Sequence, residues 1–221
     1  MRVVVAGGHG KIARHLTRRL ADRGDAVTGL IRNPEHADDL RADGAEPVVL
    51  DLESADADTL AGHLEGAAAA VFAAGAGPGS GVARKETVDR GASALLARAC
   101  EQAGVRRFVQ VSAIGTANPN PPDVGEVFGA YLDAKRAAEQ DLRERDLDWT
   151  ILRPGILTDD QPTGQVLLTT ELQRAEIPRS DVAAVLVALL DEPKSTGHAL
   201  TLISGGTPIA EAVRAVVSGA R

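Results

Sequence analysis

The stretch VVVAGGHGKIARHL (residues 3–16) decides the fold. Its first four residues form a continuous apolar run, the pattern of a strand covered on both faces. Glycines at 7, 8 and 10 break that run, and an amphipathic helix opens at Lys11. The glycines read as Gly8-x-Gly10-x-x-Ala13 or as Gly7-x-x-Gly10-x-x-Ala13. Both are strand–turn–helix dinucleotide fingerprints with Ala in the third place. Gly at the turn accepts a positive φ, and a missing Cβ lets backbone approach a pyrophosphate. Ala13 keeps helix and strand close, while the helix N-terminus offers free N–H groups and a positive dipole end. The expected cofactor contacts in this turn are Gly7, Gly8, His9, Gly10, Lys11 and Ile12, with His9 and Lys11 adding positive charge that favours a phosphorylated dinucleotide.

The same alternation continues outward. Strand candidates lie at 2–6, 26–31, 46–50, 69–74, 107–112, 148–153 and 198–203. Helix candidates lie between them, at about 11–23, 34–43, 55–64, 84–103, 126–146, 180–191 and 207–218. Such alternation predicts an α/β fold: one Rossmann domain over 1–221, with a doubly wound parallel sheet and a small C-terminal substrate-side region. Two breaker-rich segments, 113–126 and 155–180, follow strand ends, where open α/β sheets bind ligands. Residues 113–130 and 155–178 are the expected substrate-side loops.

Composition narrows the partners. Aromatic residues make up 2% of 221, too few for base-stacking platforms, and the net charge of −7 opposes nucleic acid. The longest apolar stretches, 67–74 and 182–190, fall short of the roughly 18 residues of a membrane span. A single cysteine, Cys100, forbids an internal disulfide and reads as a small buried side chain. The first residues do not resemble a signal peptide. A cytoplasmic protein with a small-molecule substrate is expected, as a monomer or small homo-oligomer, with no nucleic-acid or membrane partner. The five histidines show no metal-ligand spacing with one another or with Cys100, so no metal site is expected.

The second strand specifies the dinucleotide. NAD-specific folds carry Asp or Glu at its end to hold the ribose 2′-hydroxyl. Here Arg32 stands in that place, and a guanidinium pairs with a 2′-phosphate in fork geometry. NADP(H) is therefore preferred to NAD(H). Beyond the third strand, Asp51 and Leu52 are candidates for the adenine, with Asp51 accepting its amino group or capping the next helix.

Several strings resemble the atypical short-chain dehydrogenase/reductase superfamily, in its small NmrA-like and flavin-reductase-like subgroup. They include AGGHGKIARHL (6–16), VDRGASALLARACEQAGVRRFVQVSAIG (88–115), YLDAKRAAEQDLRERDLDWTILRPGIL (131–157) and IPRSDVAAVLVALLDEP (177–193). The resemblance implies a cofactor lying over the strand C-termini, with Ala73, Ala74 and Gly75 beside the adenosine half and Pro154 and Gly155 beside the nicotinamide. It also implies that Tyr131 and Lys135, a Tyr-x-x-x-Lys pair on one helix face, act in acid–base chemistry. In the family, the lysine lowers the tyrosine pKa and holds the ribose, and the tyrosine passes a proton to the substrate. A serine near the preceding strand end steadies the substrate oxygen. Ser112 is the candidate, and the place one residue later holds Ala113. The expected function is an NADPH-dependent oxidoreductase acting on a small carbonyl, quinone or flavin-like acceptor. A non-catalytic NADPH sensor and an NAD(P)-dependent epimerase or dehydratase are the alternatives.

Overall fold

The apolar run at the N-terminus is an inner strand of a nine-stranded sheet. The computed structural model describes every residue except 78, 119, 121, 122, 220 and 221. Seven parallel strands form the body of the sheet: β1 (Arg2–Ala6), β2 (Ala26–Ile31), β3 (Ala45–Val49), β4 (Ala69–Phe72), β5 (Arg107–Val111), β6 (Asp148–Pro154) and β10 (His198–Ser204). Antiparallel β8 (Gln165–Thr169) extends the sheet beyond β10, and β11 (Thr207–Pro208) pairs with β8. The spatial order is β11-β8-β10-β6-β5-β4-β1-β2-β3. The order reverses between β1 and β4, and crevices for ligands open at such reversals. Pro47 lies within β3, which is permitted because β3 is an edge strand.

Helices cover both faces. On one face, α1 (Lys11–Asp22), α2 (Ala37–Ala42), α7 (Arg179–Leu190) and α8 (Ile209–Gly219) bury Leu16, Leu20, Leu40, Val182, Leu186 and Val213 against β1, β5 and β10. On the other face, α3 (Ala57–Leu64), α5 (Ser93–Ala103) and α6 (Glu126–Arg143) bury Leu60, Leu64, Leu96 and Leu142 with Phe72 and Phe108. Aliphatic side chains build both cores, as the low aromatic content requires.

Three boundaries differ from the sequence expectation. The 155–180 segment carries β7 (Ile156–Thr158), β8 and β9 (Glu176–Pro178), with β7 and β9 paired parallel. The alternation of QVLLT is the missed signal, since Val166 and Leu168 are buried and their neighbours are not. Helix 34–43 splits into a 3₁₀ turn at Pro34–His36 and α2. Helix 84–103 starts earlier, as α4 (Val82–Arg84), and reaches α5 through a π-helical stretch, Lys85–Ala92. π-helical turns concentrate at functional sites because the extra residue re-aims side chains. In the other expected substrate-side loop, Pro119, Pro121 and Pro122 lie outside the described residues.

Candidate cofactor site

The glycine turn is built by close backbone approach. Gly7 has φ +78°, and an added Cβ would stand 2.5 Å from Ala74 Cα. The Gly10 N–H donates to Gly7 O at 2.8 Å, and Gly10 O accepts the Arg14 N–H at 2.9 Å. A Cβ on Gly10 would come within 3.2 Å of Gly7 O. Gly8 serves packing instead: its N–H donates to Leu30 O at 3.0 Å, and a Cβ would meet Gly29 Cα at 3.0 Å. The geometry thus selects the Gly7-x-x-Gly10-x-x-Ala13 reading. The first turn of α1 has no side-chain cap and no acidic residue, which leaves its N–H groups for a ligand.

A cavity of about 580 Å³ opens over the C-terminal ends of β1 to β4. Nine of the expected cofactor residues line it: Gly7, His9, Gly10, Arg32, Asp51, Leu52, Ala73, Ala74 and Gly75. Sequence reasoning missed Asn33, His36, Glu53 and Arg84, which also line it. His9 and His36 stack with ring centroids 3.6 Å apart, and His9 Nε2 lies 2.7 Å from Asp39. Asp51 Oδ1 accepts the Glu53 N–H at 3.0 Å, shaping the turn after β3.

The remaining expected cofactor residues lie elsewhere. Gly8 packs against β2. Lys11 is ion-paired with Asp159, in the chain that follows β7, and Ile12 packs against the core beneath α1. Lys135 supports the cavity from behind: Nζ donates to Val111 O at 3.2 Å and to Ala74 O at 3.4 Å. Pro154 and Gly155 close β6, and the Gly155 N–H donates to Leu202 O at 2.9 Å. A Cβ on Gly155 would stand 2.1 Å from Ala175 O, so glycine is needed there for packing.

Tyr131 and Lys135 do share one helix face, but their partners differ from those expected. Lys135 is buried, and Nζ lies 3.4 Å from Asp89 Oδ1, a fully buried carboxylate oxygen without a hydrogen bond among the described residues. Burial pushes the Lys135 ammonium below its usual range, opposed by Asp89. Tyr131 stacks on Phe128 at 5.7 Å and has the Lys85 ammonium 5.6 Å from its ring centre. Burial, reinforced by the charge of Asp89, pushes the phenol pKa up. Lys135 is instead engaged by Asp89, Val111 O and Ala74 O, unlike the Tyr–Lys pairing that the family resemblance implies.

Ser112 also departs from expectation. Its hydroxyl donates to Glu139 Oε1 at 2.6 Å. Thr116 Oγ1 donates to the same oxygen at 2.6 Å, and Arg153 donates through Nε to Oε1 at 3.0 Å and through Nη2 to Oε2. Burial disfavours the Glu139 charge, yet the hydrogen bonds and charge of Arg153 hold its carboxyl below the usual range. Ser112 is therefore committed to a buried cluster joining β5, β6 and α6. Glu139 lies one turn beyond Lys135 on the same face, so a charged residue at a core-facing position was the available signal. Asp89 gave no comparable signal, because its burial depends on the π-helical register.

The chain matches the NAD(P)H-binding family over residues 7–193. It is 34% identical to a sugar epimerase of uncharacterised activity from Bacillus subtilis, over 97% of this chain and 99% of that protein. A solved structure from Bacillus halodurans, named for NAD-dependent epimerase/dehydratase activity, superposes with a TM-score of 0.90. It is 34% identical and covers 98% of this chain and 100% of its own. An NAD(P)H azoreductase from Xenophilus azovorans is 26% identical over 89% of this chain and 64% of its own length. The protein belongs to the NAD(P)H-binding family. Its fold and relatives place it in the atypical short-chain dehydrogenase/reductase superfamily.

The site fits the family's cofactor on its own geometry. The cradle between Gly7, Gly10 and Ala74 is one that a Cβ would fill. The free helix N-terminus faces that cradle, and Arg32 lines the far end of the cavity. Among the described residues no cluster of three metal-ligating side chains occurs, and no helix is long and apolar enough to cross a membrane.

Proposed function

We propose that this protein is an NADPH-dependent reductase of a small acceptor, of quinone or flavin type more than carbonyl type. The observation that carries the cofactor preference is Arg32, which lines the cavity at the end of β2 where an NAD-specific fold has an acid. When bound, the nicotinamide supplies a hydride. The glycine turn and the α1 N-terminus hold the pyrophosphate, and Lys135 braces the strand ends beneath by binding Val111 O and Ala74 O. A carbonyl requires a proton on oxygen as hydride arrives, whereas quinones and flavins take it from water. Ser112 is committed to Glu139 and the Tyr131 pKa is raised, which supports the water-protonated acceptor. The same commitment supports a second reading, a non-catalytic NADPH sensor. The sugar-epimerase name of the Bacillus subtilis relative supports a third, reversible use of the cofactor.

Titration with NADPH and NADH, followed by an acceptor panel read at the nicotinamide absorbance, tests these readings. NADPH should bind more tightly than NADH, and Arg32→Ala should weaken NADPH by about tenfold while sparing NADH. Equal affinities in the wild type would remove the preference. Tight NADPH binding with no turnover on any acceptor selects the sensor. Product formation without net NADPH loss selects the epimerase.

A further inference from the structure

Arg32 does not stand alone at the adenosine end. Glu53 Oε2 accepts from Arg32 Nη1 at 3.1 Å and from Arg84 Nη2 at 2.7 Å. Glu53 Oε1 accepts from Thr87 Oγ1 at 2.6 Å. Arg32, Glu53 and Arg84 all line the cavity. They arrive from three elements: the end of β2, the turn after β3, and α4 just before the π-helical stretch. The two arginine side chains are 55% and 37% exposed, so both guanidiniums are reachable from the cavity. Asp51 fixes the turn that presents Glu53, by accepting its backbone N–H. One carboxylate oxygen shared by two guanidiniums is an anion site filled from within the chain.

We infer that Arg32 and Arg84 together form a two-arginine site for the adenosine 2′-phosphate, and that Glu53 is an internal anion the phosphate displaces. The inference rests on the NADPH preference proposed above. A phosphate monoester carries about −1.5 to −2 charge and three acceptor oxygens near neutral pH. It satisfies two guanidinium forks at once, while Glu53 offers one charge and keeps one oxygen on Thr87. A ribose 2′-hydroxyl carries no charge and does not displace a carboxylate, so with NADH the Glu53 bridge stays in place. Glu53 therefore competes only with phosphorylated cofactors, and removing its charge should strengthen NADPH binding. A residue that merely organised the arginines would give the opposite sign.

Calorimetric titration of adenosine 2′,5′-bisphosphate and of adenosine 5′-monophosphate isolates this end of the site from all chemistry. Arg84→Ala should weaken the bisphosphate by about tenfold, the scale of a charge-assisted pair at a partly exposed site. Glu53→Gln should tighten it by about three- to tenfold. Both variants should leave the monophosphate within about twofold, and their unliganded thermal unfolding, measured in parallel, should stay near wild type because these are surface ion pairs. If Arg32→Ala weakens the bisphosphate while Arg84→Ala and Glu53→Gln leave it unchanged, the two-arginine site is overturned and the NADPH reading stands. If Glu53→Gln weakens the bisphosphate, Glu53 is an organiser and the displacement is overturned. A wild type that binds both nucleotides equally overturns the NADPH reading together with this one.

Discussion

The two halves of the ligand crevice are built on different logic. Around β1 to β4, a positive-φ glycine, a helix N-terminus and several loops end beside one cavity, and the arginines paired there on Glu53 stay partly exposed to it. Around β5, β6 and α6, the polar side chains are spent on one another, Ser112 and Arg153 on Glu139 and Lys135 on Asp89. The first half is organised to receive a ligand. The second is organised to hold strands and a helix in register. The difference predicts that variants in the first half change binding first, whereas variants in the second change stability first.

The largest effect should come from the glycine turn. Gly7→Val imposes a branched residue at φ +78° with a Cβ 2.5 Å from the Ala74 backbone, so both folding and binding should fail. Gly10→Val is the cleaner test: its Cβ meets only Gly7 O, at 3.2 Å, and Ala73 O, at 3.7 Å, beside the cradle. Cofactor affinity should fall by about a hundredfold, roughly 3 kcal/mol, with a smaller change in unfolding midpoint. Unchanged affinity by titration would move the pyrophosphate out of this loop and erase the contrast between the halves.

Next comes the buried cluster. Glu139→Ala would leave Arg153 largely buried without its carboxylate, since the two side chains are 3% and 12% exposed. Breaking such a pair from one side costs about 3–5 kcal/mol, because the remaining charge is uncompensated. Urea unfolding measures this directly. The pH dependence has a definite sign. The Glu139 carboxyl is held below its unfolded value of about 4.3, so its contribution is fully present above that pH. It is lost as pH falls through the lower, folded value. The stability gap between wild type and Glu139→Gln should be flat from about pH 7 to 5 and shrink below about pH 4. A gap that widens with acid would show that Glu139 is not the anion of this cluster.

The same contrast explains what was legible in the sequence. The strand alternation and the glycine turn are local signals, so the fold and six of the nine cavity residues could be read from the chain itself, while Ala73, Ala74 and Gly75 came from the family resemblance. Glu53 and Arg84 were missed because their role depends on three elements meeting, which no spacing encodes. The partners of Ser112 and Lys135 depend on Glu139 and on a π-helical register that brings in Asp89, and no local spacing encodes either. The strands within 155–180 were hidden by their shortness and by flanking Pro and Gly.

A smaller effect is expected at the second buried pair. Lys135→Met should destabilise by about 3 kcal/mol by stranding the Asp89 carboxylate, which among the described residues keeps the Ala76 N–H at 3.2 Å. The double variant with Asp89→Asn should recover more than half of that loss, because neither charge is then left unpaired. Additive losses would mean that the two residues do not hold each other. Affinity for NADPH should change in step, since Lys135 also supports Ala74 at the cavity edge.

The smallest effect should come from Tyr131→Phe, and it separates the two halves most sharply. The change removes one hydroxyl and little volume, so stability should move by less than about 0.5 kcal/mol. NADPH affinity should also hold, because Tyr131 does not line the cofactor cavity. Turnover carries the information. With its pKa pushed up by burial and by Asp89, the phenol is a weak proton donor. A quinone or flavin acceptor takes its proton from water and should be reduced by the variant within about twofold of wild type. A carbonyl acceptor whose reduction falls by about 10²–10⁴, the range expected for lost general-acid catalysis, would reinstate Tyr131 as the donor. The α6 face would then be a chemical site, and Lys85, whose ammonium stands over the ring, would be the cation to test. An unchanged rate with every acceptor would leave Tyr131 as part of the wall that α6 and the π-helical stretch build against each other.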